Sequence, residues 1–240
     1  MVKFTRFIRH VFACVMAILA TASPTRAADS QRWAGLVDTV FTHIAQNNEV
    51  PATSDVTALA EDGDGFLWVG SQLGLARWDG YHFRVYRPGA GIPDALPDNY
   101  IVALHADPKG RLWIGTNSGG LALYDRDHDR FKIYAGGAGD ANRLSHVSVN
   151  AIADDGAGGL WVGTEGGLDQ LDPATGVVRH LHHDAGDSTS LRNNRILALC
   201  RARSGMLWVG TSGGLARLAS DESSHVTGIE LFVDGGLAQI

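Results

Sequence analysis

Four clustered residues, His180, His182, His183 and Asp184, have the composition of a metal site. Imidazole nitrogens and a carboxylate are what a zinc ion takes in a tetrahedral set. Side chains along a strand alternate between its two faces, which places His180 and His182 together and His183 apart. At most two imidazoles can then share an ion without a bend. The competing reading is a set of solvated residues on an outer strand, and the expectation is that no metal is bound. A second cluster, Asp62, Gly63, Asp64 and Gly65, looks like part of a calcium loop. Calcium takes about six to eight oxygen ligands. The corresponding stretches Asp107–Gly110 and Ala202–Gly205 carry no matching second acid, so a tight turn is expected instead. Cys200 aligns with Ala60, His105 and Ala153 and is expected to pack as a small apolar side chain.

These residues sit on a repeat. The stretch Gly110, Arg111, Leu112, Trp113, Ile114, Gly115, Thr116 has near copies centred on Trp68, Trp161 and Trp208, with the tryptophans 45 to 48 residues apart. That spacing suits a unit of four short strands. A glycine stands three places before each tryptophan, at Gly65, Gly110, Gly158 and Gly205, where a reversal between strands needs a residue that tolerates positive φ. A second glycine follows at Gly70, Gly115, Gly163 and Gly210, and the unit continues to Leu75, Leu121, Leu168 and Leu215. Turn aspartates follow at Asp79, Asp125 and Asp172. Both faces of the tryptophan strands are apolar, as in Leu67, Trp68 and Val69, so both must be covered. The first strand of each unit has alanine at its middle (Ala58, Ala103, Ala151, Ala198), which fits an innermost strand near a common axis.

The expected fold is therefore all-β: a propeller of four-stranded antiparallel blades, with blades at about 55–88, 99–135, 148–184 and 194–234. An orphan outer strand at about 39–45, carrying Val40 to Ile44, precedes the first blade, whereas Ile229 to Val233 give the last blade an outer strand of its own. The expectation is that the four blades are part of a seven-bladed ring whose downstream blades lie elsewhere. A closed four-bladed ring is the alternative. Linkers at residues 88–99, 135–148 and 184–194 vary in length and are rich in Gly, Pro, Asp and Asn, as recognition loops on a repeated scaffold are.

Composition narrows the functions. The chain has 240 residues and a net charge of −6, with no clustered basic surface, so no nucleic-acid partner is expected. Lys3, Arg6 and Arg9, the apolar run Val11 to Ala20 and the small-x-small signal Thr25, Arg26, Ala27 read as a signal peptide over residues 1–27, with an uncleaved anchor as the alternative. Residues 28–38 are a polar lead-in. The implied location is periplasmic. Cleavage removes Cys14 and leaves Cys200 alone, so the exported chain has no internal disulfide. Trp33 and Trp78 stand outside the repeat as candidate stacking platforms, with edge packing the alternative.

The repeat resembles that of the two-component regulator propeller family. Asn150 to Leu168 follows the family pattern closely and Asn99 to Leu121 more loosely; the resemblance covers about residues 40–235. It implies the extracytoplasmic sensor region of a membrane-spanning signalling protein ending in a histidine kinase or a diguanylate cyclase. No phosphoacceptor helix, nucleotide-binding core or cyclase signature is present in the sequence, so catalytic output is expected outside these residues and no cofactor is implied. Blade four departs from the pattern, with Ala202 where the other units carry Asp62, Asp107 and Asp155. The turns also invite comparison with the aspartate box of sialidase-type propellers. There the aspartate stands one place closer to the tryptophan, where this chain has Gly63, Pro108, Gly156 and Arg203. No pair of carboxylates is singled out for glycoside hydrolysis either.

The expected ligand face is formed by the loops between second and third strands and by the inter-blade linkers. Gln72, Asn117, Glu165 and Ser212 occupy equivalent positions after the tryptophans, and Asn99, Asn150 and Asn194 lie near the starts of the inner strands. Amides, a hydroxyl and one acid suit a small polar ligand such as an oligosaccharide, with loop stabilisation as the alternative role. A stand-alone binding or scaffolding propeller, and an extracytoplasmic lyase or hydrolase, are the other functional readings.

Overall fold

The computed structural model describes residues 55–89, 94–137, 142–218 and 229–230, all within the unit Ala45–Ile240. The signal segment, the lead-in with Trp33 and the orphan strand lie outside the described residues. The described residues form four four-stranded sheets, each an up-and-down antiparallel meander in chain order. Blade one consists of β1 (Val56–Glu61), β2 (Leu67–Ser71), β3 (Gly74–Trp78) and β4 (Phe83–Tyr86). Blade two consists of β5 (Ile101–Ala106), β6 (Leu112–Thr116), β7 (Leu121–Asp125) and β8 (Arg130–Tyr134). Blade three has β9 (Val149–Asp154), β10 (Leu160–Thr164), β11 (Leu168–Leu171) and β12 (Val178–Leu181). Blade four has β13 (Ile196–Arg201), β14 (Leu207–Thr211), β15 (Gly214–Leu218) and β16 (Ile229–Glu230). The four tryptophans all fall on the second strand of a blade, and no described residue is helical.

Innermost strands pack in chain order, β1 on β5, β5 on β9 and β9 on β13; β1 and β13 make no comparable contact. The described blades are thus an open arc. Three apolar clusters fill its three seams. In the first, Trp68, Leu75 and Tyr86 of blade one meet Ile101, Leu112, Ile114, Ala122, Tyr124 and Phe131 of blade two. Trp113 and Leu121 face blade three, and Trp161 and Leu168 face blade four, in the same way. Each of the first three blades therefore presents its indole forward to the next. Burying one such side chain is worth roughly 1.5–3 kcal/mol, and the seams hold the array together because no single sheet shelters both of its apolar faces.

The glycine two places after each tryptophan makes the close approach possible. A Cβ on Gly70 would lie 2.6 Å from Ile101, on Gly115 2.8 Å from Val149, and on Gly163 2.5 Å from Ile196. A small residue there lets the β-branched start of the next inner strand settle onto the sheet.

The turn aspartates fasten the first hairpin of three blades. Asp62 Oδ1 accepts from the amides of Asp64 and Phe66, and its Oδ2 accepts from the Trp68 indole at 2.8 Å. Asp107 repeats this with Lys109, Arg111 and, at 3.0 Å, the Trp113 indole. Asp155 keeps the amide bonds from Ala157 and Gly159. The carboxylate thus serves as an internal staple although its spacing from the tryptophan is not that of the sialidase turn. Burial of Asp107 opposes its charge, but donation from Trp113 and Arg111 more than reverses this and holds its pKa below the ordinary value.

Cys200 is exposed, contrary to the packed position expected for it. Its counterpart Ala153 is buried in the seam that blade four closes, whereas no described blade follows Cys200. Trp78 is half-buried and packs on Phe83, with the rings tilted by 39° and 4.5 Å between their centroids.

Replacing Gly163 with alanine is expected to destabilise the chain by about 1–3 kcal/mol through overpacking against Ile196, measured by denaturant unfolding. Asp107→Asn should cost about 1–3 kcal/mol at neutral pH, because an amide has one acceptor oxygen and cannot accept from the Trp113 indole on one side and from the Lys109 and Arg111 amides on the other. The same variant should flatten the acid limb of stability. With a folded pKa below the ordinary value of about 3.9, Asp107 contributes stability above that value and loses it as the pH falls through the folded one. Urea unfolding at a series of pH values checks both effects.

Candidate functional site

A bulge recurs in all four inner strands. Thr57, Val102, Asn150 and Leu197 are each skipped in the register with the second strand. A bulge re-aims the extra residue away from its own ladder, and two of these side chains bond the next blade. Thr57 Oγ1 donates to the Ile101 carbonyl at 2.6 Å, and Asn150 Nδ2 donates to the Ile196 carbonyl at 2.8 Å. Asn150 Nδ2 also donates to Glu165 Oε1 at 3.0 Å. Arg195 Nε lies 3.0 Å from Glu165 Oε1 and 2.9 Å from its Oε2. An amide, a carboxylate and a guanidinium therefore meet where blade three joins blade four, at the end of the strands that carries the inter-blade linkers.

The β2–β3 loop and its counterparts are held on this rim by one repeated backbone bond. The amides of Asn117, Glu165 and Ser212 donate to the carbonyls of Tyr100, Ser148 and Arg195 at 3.0, 3.2 and 3.1 Å. Gln72, Asn117 and Ser212 are exposed, as is Asn99, whereas Glu165, Asn150 and Asn194 are half-buried. Asn194 Oδ1 accepts from the His183 amide at 2.5 Å and so holds the linker between blades three and four. Of the seven polar residues expected on the ligand face, the structure joins Asn150 and Glu165 directly.

Arg195 was not anticipated as part of this group. It lies next to Ile196 on the strand that receives the Asn150 bond, and its charge opposite to Glu165 was the available signal.

A second unanticipated group lies at the seam between blades two and three. Asp169 is fully buried where the other blades have Ala76, Ala122 and Ala216. Its carboxylate accepts from the Ser145 amide at 2.8 Å, the Ser145 hydroxyl at 2.5 Å and His180 Nδ1 at 2.7 Å. The Ser145 hydroxyl also lies 3.1 Å from the same His180 nitrogen. A proton relay uses the two different ring nitrogens of its histidine. Here these two contacts converge on Nδ1, and with Ser145 they tie the linker to β11.

The histidines considered as metal ligands are held apart. His180 and His182 rings stack at 5.9 Å, His182 Nδ1 faces the Gly166 carbonyl, and His183 Nδ1 faces the Leu191 carbonyl. No cluster able to hold a metal ion occurs among the described residues. A groove of about 750 Å³ lies at the opposite ends of the strands, beside the β5–β6 and β7–β8 turns, and includes Arg111, Arg126 and Arg130. Each arginine is answered by acids: Arg111 by Asp107, Arg126 by Asp64 and Asp62, and Arg130 by Asp125 and Asp94.

The two component regulator propeller model matches residues 51–72, 95–118, 143–166 and 190–213, one segment per blade, each running from the residues before the inner strand to just past the second strand. The chain carries four repeats of the two component regulator propeller family. Its fold is shared with the extracellular domain of a protein described as a hybrid two-component system of B. thetaiotaomicron, at 27% identity and a TM-score of 0.65, over 76% of this chain and 25% of that one. The propeller chain thus spans about a quarter of that domain's length. Virginiamycin B lyase from Staphylococcus aureus is similar in fold, with 15% identity, a TM-score of 0.52, and coverage of 71% of this chain and 55% of the lyase. An auxiliary nutrient binding protein from Bacteroides thetaiotaomicron is also similar, with 10% identity, a TM-score of 0.52, and coverage of 74% and 41%. No curated protein matches the chain at a significant level.

Asp169→Ala is expected to destabilise the propeller by about 1–3 kcal/mol, because it leaves the Ser145 amide without its acceptor. Combining it with His180→Val should be markedly non-additive in a double-mutant cycle read by urea unfolding, since the two side chains share one bond.

Proposed function

We propose that this chain is the extracytoplasmic ligand-sensing part of a two-component signalling system, and that its role is binding rather than bond-making. The observation that carries the reading is the family repeat in all four blades, joined to a polar group, Asn150, Glu165 and Arg195, on the rim that bears the variable linkers. The basic and apolar start of the sequence supports export to the periplasm. The kinase or cyclase output is carried outside these residues.

A polar ligand, with an oligosaccharide the favoured class, engages the rim. Glu165 accepts from sugar hydroxyls, while Arg195 and the Asn150 amide donate to them. Gln72, Asn117, Ser212 and Asn99 extend the exposed polar surface around the group, and Asn194 supports it from the linker. Because Glu165 links Asn150 and Arg195, a ligand that takes over either bond changes the junction of blades three and four. It thereby shifts the population of seam arrangements available to the output.

The test is a screen of neutral and acidic oligosaccharides against the exported chain, followed by calorimetric titration. The expected outcome is binding without turnover, with affinity reduced about tenfold or more by Glu165→Ala, equivalent to about 1.4 kcal/mol. Hydrolysis or elimination of a bound glycan by the purified chain would overturn the sensing role. Affinity untouched by Glu165→Ala, Arg195→Ala and Asn150→Ala would remove the site.

A further inference from the structure

We propose that the rim binds an extended linear oligosaccharide laid across three blade junctions. One end meets the charged group of Asn150, Glu165 and Arg195, and the other stacks on Tyr100 where blade one joins blade two. This inference rests on the sensing role and adds the length and shape of the ligand.

The repeat sets the same three columns at every junction between described blades: the bulge residue of one inner strand, the residue after that blade's second strand, and the residue just before the next inner strand. Between blades three and four these are Asn150, Glu165 and Arg195. Between blades two and three they are Val102, Asn117 and Ser148, and between blades one and two they are Thr57, Gln72 and Tyr100. The two outer junctions are built alike. Thr57 donates to the Ile101 carbonyl as Asn150 donates to the Ile196 carbonyl, so Tyr100 leads into its strand where Arg195 leads into its own.

Tyr100 is the aromatic member of this set. It is 37% exposed, and among the described residues no hydrogen bond or ring contact engages its side chain. Its backbone is fixed on both sides: the amide donates to Asp98 Oδ1 at 3.2 Å, and the carbonyl accepts from the Asn117 amide at 3.0 Å. Asp98 Oδ2 in turn accepts from the amide and the hydroxyl of Ser118, both at 2.8 Å. The ring is thus carried by a pinned turn, which lowers the ordering cost when a ligand covers it. Leu73, next to Gln72, is 47% exposed, where the other blades have Ser118, Gly166 and Gly213. Singly exposed apolar side chains are ordinary on a protein surface; these two fall at one junction, in columns equivalent to those of the charged group. A ring, an aliphatic side chain and the Gln72 amide suit a sugar, whose ring face is apolar and whose edge carries hydroxyls.

The middle junction offers less. Ser148 is buried and the Val102 side chain has no hydrogen-bonding group, which leaves the exposed Asn117 amide between the two ends. A ligand that reaches both ends crosses two seams, up to about 20 Å at the spacing of packed sheets. A disaccharide is too short for that span, whereas a chain of several sugars covers it and gains from both contacts at once.

The experiment is calorimetric titration of the exported chain with oligosaccharides from xylan, cellulose and polygalacturonate, each as the disaccharide and the hexasaccharide. In at least one series the hexasaccharide is expected to bind about tenfold or more tightly than the disaccharide. Tyr100→Ala should bring the hexasaccharide down to the disaccharide's affinity and leave the disaccharide unchanged, whereas Tyr100→Phe should keep the gain. Both variants should retain the wild-type circular dichroism and urea unfolding, since the pinned backbone bonds survive either change. Absence of binding by every hexasaccharide, a gain that survives Tyr100→Ala, or a gain lost equally in Tyr100→Phe would overturn the proposal. Disaccharide binding that needs Glu165 but does not strengthen with length would overturn it while leaving the sensing role in place.

Discussion

The structure depends on one short-range fit: a β-branched side chain at the start of an inner strand lying on a glycine of the preceding blade. Ile101 on Gly70, Val149 on Gly115 and Ile196 on Gly163 bring adjacent sheets close enough for the indoles of Trp68, Trp113 and Trp161 to be buried. Dispersion falls off within a fraction of an ångström, so the seams are close-packed or they contribute little. The alanines at Ala58 and Ala103 extend the same economy of volume, since a Cβ on the neighbouring glycine would stand only 3.5 and 3.3 Å from theirs. Larger residues in these columns would separate the blades near the axis.

The polar groups are then placed by small departures from the scaffold. One extra residue in each inner strand frees Thr57, Val102, Asn150 or Leu197 from its own ladder, and the type of side chain decides the result. Thr57 and Asn150 reach the next blade; Val102 has no hydrogen-bonding group with which to do so. At blade three the freed amide also meets Glu165, and the guanidinium of Arg195 completes the group from the following blade. Outside the rim, Asp129 accepts from both Tyr86 and Tyr124 across the first seam. Burial first, then the neighbouring Tyr124 hydroxyl and Asp129, push the Tyr86 hydroxyl's pKa upward, while for Asp129 the donors outweigh the burial that opposes its charge.

Strand order, blade number and the burial of Trp68, Trp113 and Trp161 were legible because each depends on residue types recurring at fixed spacing. The positive φ of Gly65, Gly110, Gly158 and Gly205 was legible for the same reason. What escaped was whatever departs from the repeat. Asp169 replaces an alanine column, and an isolated acid in a strand does not announce that a linker serine and a histidine on the paired strand will enclose it. Arg195 escaped because its partner belongs to the preceding blade, and a distance across a seam has no counterpart in sequence spacing. Cys200 was misplaced because its counterpart Ala153 is buried by the blade that follows it, whereas no described blade follows Cys200.

Blade four keeps the backbone of the fastened hairpin without its fastener. Its turn retains the bonds from the Ala202 amide to the Met206 carbonyl and from the Gly205 amide to the Ala202 carbonyl, matching those at Asp62 and Asp107. With alanine in that column, the turn offers no carboxylate to the indole of Trp208. In a stacked array each unit leans only on its neighbours, so local opening favours the least secured unit. Among the described hairpins that of blade four is therefore the least secured, and an opening there loosens the strand that follows Arg195, the guanidinium that meets Glu165, while the riveted turns of blades one and two hold.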